Sequence, residues 1–131
     1  MKPVLLLLSA LAAFPAFAVD PDSFRERVLL ARDAQDDEQF HSYTEQMARE
    51  AGQHFAHTMR KCWTQSQRDP KPFVLVADIG ADGRPHDVAV KPAHGAARCF
   101  ASGFAAVRYL PPPEYPDRDG FPVMVRIGGH K

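Results

Sequence analysis

The stretch that decides the architecture is Phe73-Val74-Leu75-Val76-Ala77-Asp78-Ile79-Gly80-Ala81-Asp82-Gly83-Arg84-Pro85-His86-Asp87-Val88-Ala89-Val90-Lys91. Phe73, Leu75, Ala77 and Ile79 fall on one face of an extended chain, and Val74 and Val76 fall on the other. A short segment that is apolar on both faces belongs in the interior of a sheet. Gly80-Ala81-Asp82-Gly83 has the composition of a turn. Val88 and Val90 then alternate with Asp87, Ala89 and Lys91 in a return strand that Pro92 ends. The stretch predicts a β-hairpin whose first strand is central.

Downstream, Ala97, Phe100, Phe104, Val107 and Leu110 recur at helical spacing, and Pro111-Pro112-Pro113 ends that helix, since proline lacks the N–H and restricts the residue before it. A loop from Glu114 to Gly120 leads to Phe121, Val123, Val125 and Ile127, alternating with Pro122, Met124 and Arg126. This last strand carries an internal proline, which assigns it to a sheet edge. Upstream, Phe40, Tyr43, Met47, Ala51, Phe55, Met59 and Cys62 draw one apolar stripe down a long helix. A shorter helix precedes it, with Asp22 or Ser23 as cap and Phe24, Val28, Leu29 and Ala31 as apolar positions. The Asp33 to Glu38 stretch either joins the two helices or bends one continuous helix. The expected fold is α+β: long N-terminal helix, β-hairpin, helix and edge strand, forming a three-stranded antiparallel sheet with helices on one face.

Residues 1–18 read as a cleaved secretory signal. Met1-Lys2-Pro3 is a short positive start, Val4 to Phe14 is an apolar run broken by Ser9, and Ala16-Phe17-Ala18 offers small residues for cleavage after Ala18. The apolar run is too short to span a hydrocarbon core, which needs about 20 helical residues, so no stable membrane insertion is expected after cleavage. The organisation is then signal 1–18, helical segment 19–35, and an α+β domain over 36–131 that includes its long leading helix. Export gives Cys62 and Cys99 a meaning: two thiols in an oxidising compartment favour a structural disulfide, and their spacing is not that of a redox CxxC pair.

The chain has 131 residues, 16 Lys plus Arg, 16 Asp plus Glu and 12 prolines. That length bounds it to one domain, and the neutral balance excludes a strongly cationic nucleic-acid binder. Neutrality conceals a split. Val19 to Cys62 carries nine acids against six bases, whereas Trp63 to Lys131 carries nine bases against seven acids. An acidic partner would be steered toward the sheet side.

The Asp-Gly hairpin from Val74 to Arg84, the Cys99-Phe100 helix opening, the proline break and Gly120-Phe121-Pro122-Val123 together resemble the C-terminal domain of TonB-type energy transducers. The similarity is closer to their cysteine-bearing AgmX/PglI-type relatives and covers Met47 to Ile127. The resemblance implies a periplasmic protein-binding module whose last strand accepts an extended peptide by strand addition, at Phe121, Val123, Met124 and Val125. The expected partner is another periplasmic or outer-membrane protein. A transducer also keeps a membrane anchor and a long proline-rich spacer. This chain is expected to have neither, which argues against energy transduction itself.

Other chemistry is weaker. His54 and His57 are three apart on the long helix, and Met47 and Met59 are soft donors, so a periplasmic copper or zinc carrier is one alternative. Spacing fixes no third ligand, and the expectation is no metal and no cofactor. No serine sits in a Gly-x-Ser-x-Gly elbow and no phosphate loop follows a strand. Asp36-Asp37 and Asp117-Asp119 read as solvated turns, so no catalytic residue is assigned. Trp63 is expected to pack over the disulfide. A toxin-neutralising immunity or inhibitor protein is the other alternative.

Overall fold

The computed structural model describes residues 21–66 and 71–128. The signal and its cleavage site lie outside them. The order is α1 (Pro21–Asp36), a 3-10 turn (Glu38–Phe40), α2 (His41–Ser66), β1 (Phe73–Ile79), β2 (Pro85–Lys91), α3 (Gly95–Ala105) and β3 (Phe121–Ile127). The fold is α+β, and its sheet is antiparallel with strand order β2-β1-β3. The doubly apolar segment is the central strand and the proline-bearing one is an edge, as the pattern predicted.

Phe73, Leu75, Ala77 and Ile79 point into one core with Phe100 and Phe104 of α3 and Tyr43, Met47 and Met59 of α2. Every member of the predicted α2 stripe from Tyr43 to Cys62 is buried except Phe55, which is half-buried and packs against the rings of Phe100, Phe104 and Tyr109. Between α1 and α2 the chain breaks rather than bends. Asp37 is extended, its side chain accepts the Gln39 N–H at 2.9 Å, and the 3-10 turn places Phe40 in the core.

Three expectations are corrected. Helix α1 already includes Pro21, so Asp22 and Ser23 lie within it rather than capping it. Leu29 is 48% exposed, and the residues α1 buries completely are Ala31 and Ala34, whose size lets the helix lie close to its neighbours. Helix α3 ends at Ala105, short of the prolines, because tertiary bonds capture the following residues. The Tyr109 N–H donates to the Gly83 carbonyl at 2.8 Å and its hydroxyl donates to the Phe104 carbonyl at 2.7 Å. Gly83 has φ +85°, and a Cβ there would collide with the Tyr109 carbonyl, so the hairpin turn can accept this segment only as glycine.

At the start of α3, His94 closes the helix. Its Nδ1 accepts the Ala97 N–H at 3.2 Å, which leaves Nε2–H to donate to the Lys71 carbonyl at 3.0 Å. One neutral imidazole thus caps α3 and ties it to the entry of β1. Cys62 of α2 and Cys99 of α3 form a disulfide with Cα atoms 5.7 Å apart. Trp63, expected to cover it, is 41% exposed.

Two outcomes follow for stability. Joining residues 37 apart in sequence removes loop entropy from the unfolded chain, so reduction should lower unfolding free energy by about 4 kcal/mol, read from urea midpoints with and without reductant. Burial pushes the Tyr43 hydroxyl up to about 12 from 10.0, and burial raises that of Tyr109 as well. The folded state therefore holds these protons after the unfolded chain has released them. The contribution of these two tyrosines should be constant below about pH 10 and fall as pH rises beyond it, and Tyr43→Phe should flatten part of that fall.

Candidate functional site

Ala77 and Ile79 face the core, so Asp78 between them faces the other side of the sheet. It is nonetheless only 5% exposed. A carboxylate taken from water needs compensating charge and donors. Arg118 Nη2 donates to Oδ1 at 2.7 Å, and Arg27 Nη2 lies 3.5 Å from Oδ2. Arg27 also donates to the Asp87 carbonyl at 2.6 Å, which draws α1 across to β2.

Local backbone geometry assembles the rest. The β1–β2 register shifts between Val76 and Asp78, so two residues of β2, Asp87 and Val88, oppose Ala77 in a bulge where Asp87 takes φ 53°. This sets His86 directly across from Asp78, with its Nδ1–H donating to Asp87 Oδ2 at 3.1 Å. Gly120, φ +107°, passes so close that a Cβ would lie 3.0 Å from the Asp78 Cβ and 3.1 Å from His86 Nε2. The result is an open cleft of about 620 Å³ bounded by Glu26, Arg27, Asp78, Asp87 and Arg118.

Ligating atoms of Asp78, His86 and Asp87 lie within 4.8 Å of one another. Both Asp78 oxygens already face guanidinium groups, however, so a cation would have to displace Arg27 and Arg118, and a general base would find its lone pairs occupied. What this arrangement does chemically is fasten α1 and the loop before β3 to the outer face of the sheet. The signal for it was present in the sequence: Asp78 is the one charged residue in the Phe73 to Ile79 run, and it and His86 are equidistant from Asp82 at the hairpin tip.

The residues expected to bind a partner do not share one surface. Phe121 is 1% exposed, ringed by Phe40, Tyr43 and Tyr115 at centroid distances of 5.2, 4.9 and 5.6 Å, and Val123 is also core. The side chains of these two pack in the core. Val125 is half-buried against the core and Met124 is half-buried on the other face.

The backbone tells more. Gln35 Nε2 donates to the Met124 carbonyl at 3.1 Å, so Met124 directs its main-chain groups away from β1. By alternation Pro122 and Arg126 do the same, while Phe121, Val123, Val125 and Ile127 pair with β1. The missing N–H of Pro122 therefore costs no ladder bond. Helix α1 lies against β3 and covers the edge at Met124, whereas Arg126 is exposed beyond it.

His54 and His57 of α2 line one cleft beside the disulfide. His54 Nε2 contacts the Gly103 carbonyl at 3.1 Å, His57 is exposed, and Met47 and Met59 are buried core residues. No described helix is long and apolar enough to cross a membrane. No family model, no curated protein and no solved structure matches this chain.

Replacing Asp78 with Ala leaves two partly buried guanidinium groups facing each other. It should lower stability by about 2–3 kcal/mol and loosen α1 first, read as faster amide exchange between residues 24 and 35. Unchanged stability would show that the ion cluster fastens nothing.

Proposed function

We propose that this chain is a non-enzymatic, exported protein-interaction module of the TonB C-terminal type. In this reading it takes up an extended segment of another periplasmic or outer-membrane protein by strand addition along β3. The observation that carries the reading is the position of β3: an edge strand on whose outward main chain, among the described residues, Gln35 bonds the Met124 carbonyl and no hydrogen-bond partner stands at Arg126. Strand addition needs a row of main-chain donors and acceptors in extended geometry, and affinity comes from those bonds rather than from the side chains. Burial of Phe121 and Val123 is compatible with this mode, because a strand fixed by its core side chains presents its edge without reordering.

Two further observations support the reading. The helix, hairpin, helix, edge-strand order over residues 41–127 is the one the resemblance implies, with the disulfide joining the two helices on the core face. A disulfide also suits a protein that works outside the cytoplasm.

The edge geometry selects the test. Val125 spends its N–H on β1, so Val125→Pro would damage the sheet; Arg126→Pro removes an outward N–H together with a guanidinium that an uncharged peptide does not pair with. With a fluorescein-labelled Thr-Val-Thr-Val-Thr-Val peptide as probe, Arg126→Pro should weaken binding about five-fold or more, the equivalent of about 1 kcal/mol for one hydrogen bond, at an unchanged melting temperature. Gln35→Ala, which frees the Met124 carbonyl, should tighten it by a similar factor. Peptide binding indifferent to both substitutions would place the interaction elsewhere.

A further inference from the structure

We infer that the segment taken up along β3 is acidic, because among the described residues the half of the outer sheet face beside the β3 edge carries two cations without an ion-pair partner and no acid. The inference rests on the strand-addition reading and adds the chemistry of the partner to it.

The register lays out this face in rows across the three strands. His86, Asp78 and Pro122 form one row, Ala89, Val76 and Met124 the next, and Lys91, Val74 and Arg126 the last. The first row lies under the Arg27 and Arg118 clasp, and Val76 is buried as well. The last row is open. Lys91 and Arg126 are exposed and Val74 is half-buried between them, in a cleft of about 220 Å³ lined also by Pro72, Pro92 and Gly128.

Four of the described arginines are held in ion pairs with acids. Arg49 faces Glu45, Arg84 faces Asp82, and Arg27 and Arg118 face Asp78. Among the described residues neither Lys91 nor Arg126 has an acid within ion-pair distance. On their own face the nearest described acids are Asp78, four residues from Val74 along β1 with both oxygens engaged, and Asp87, four residues from Lys91 along β2 beside His86, each about 13 Å away at strand rise. Lys91 and Arg126 flank the same residue of the central strand, so their Cα atoms are two strand spacings apart, about 10 Å. The low-lying Val74 between them keeps the cleft from closing over.

Strand addition places a side chain into this field. Arg126 turns its main chain outward, so an added strand pairs a residue directly opposite it, about 5.5 Å away by Cα, with that residue's side chain on the same outer face. A carboxylate there meets the Arg126 guanidinium, with Lys91 across the cleft adding to the attraction. A lysine there would meet like charge on both sides.

The test measures three labelled peptides against the intact protein in about 20 mM salt: Glu-Val-Glu-Val-Glu-Val, Thr-Val-Thr-Val-Thr-Val and Lys-Val-Lys-Val-Lys-Val. The expected order is acidic at least ten-fold tighter than neutral, with basic weakest. In Arg126→Gln/Lys91→Gln the acidic preference should fall to about two-fold or less while the neutral peptide binds as before. Raising salt to about 300 mM should erode the preference, since exposed pairs are screened. Equal binding of acidic and neutral peptides would overturn the acidic assignment and leave strand addition standing. If none of the three binds, both fall. An acidic preference that survives the double substitution would also overturn the assignment, because other cations would then be responsible.

Discussion

Pairing of β1 on both of its edges is the constraint on which the rest of this structure depends. A strand held between two neighbours has no free main-chain polar groups along its length, so both of its faces can be made dry. One face becomes the floor of the core under α2 and α3. The other is dry only where Val76 and Asp78 lie, and burying Asp78 requires the two arginines that bring α1 and the pre-β3 loop into place. Even the edge character of β3 follows, since β1 has one place on each side and β2 occupies the other.

Much of this was legible in the residues. The apolar positions of Phe73 to Ile79 fix a central strand by their occurrence on both faces, and Pro122 marks an edge because a proline N cannot donate. The structure sharpens the second point, since Pro122 sits in the outward register where no donor is needed. The α2 stripe and the Cys62–Cys99 bridge were legible for similar reasons: each depends on a local period or on the presence of one possible pair.

What was not legible depends on distant partners. Leu29 looks apolar in its helix, but which side of α1 is buried is set by contact with β3, and small alanines win that contact. Leu110 continues the α3 period, yet Tyr109 is held by a carbonyl in the hairpin turn, far away in sequence. Phe121 is singled out as a partner-binding residue only by resemblance, and two of the three rings that surround its side chain, those of Phe40 and Tyr43, come from a distant segment. His94, silent in the sequence, caps a helix because Lys71 offers a carbonyl to its second nitrogen.

The edge of β3 is thus graded along its length: proline at Pro122, a Gln35 side chain at Met124, and no partner among the described residues at the Arg126 main chain. Partial covering of this kind guards a sheet against indiscriminate pairing while leaving a short stretch for a specific one. Site-resolved amide hydrogen exchange along β3 in the free protein tests this most directly. The account predicts slow exchange at Val123 and Val125, which bond to β1, and exchange at Arg126 close to that of an unstructured peptide. Strong protection of Arg126 in the free protein would contradict it.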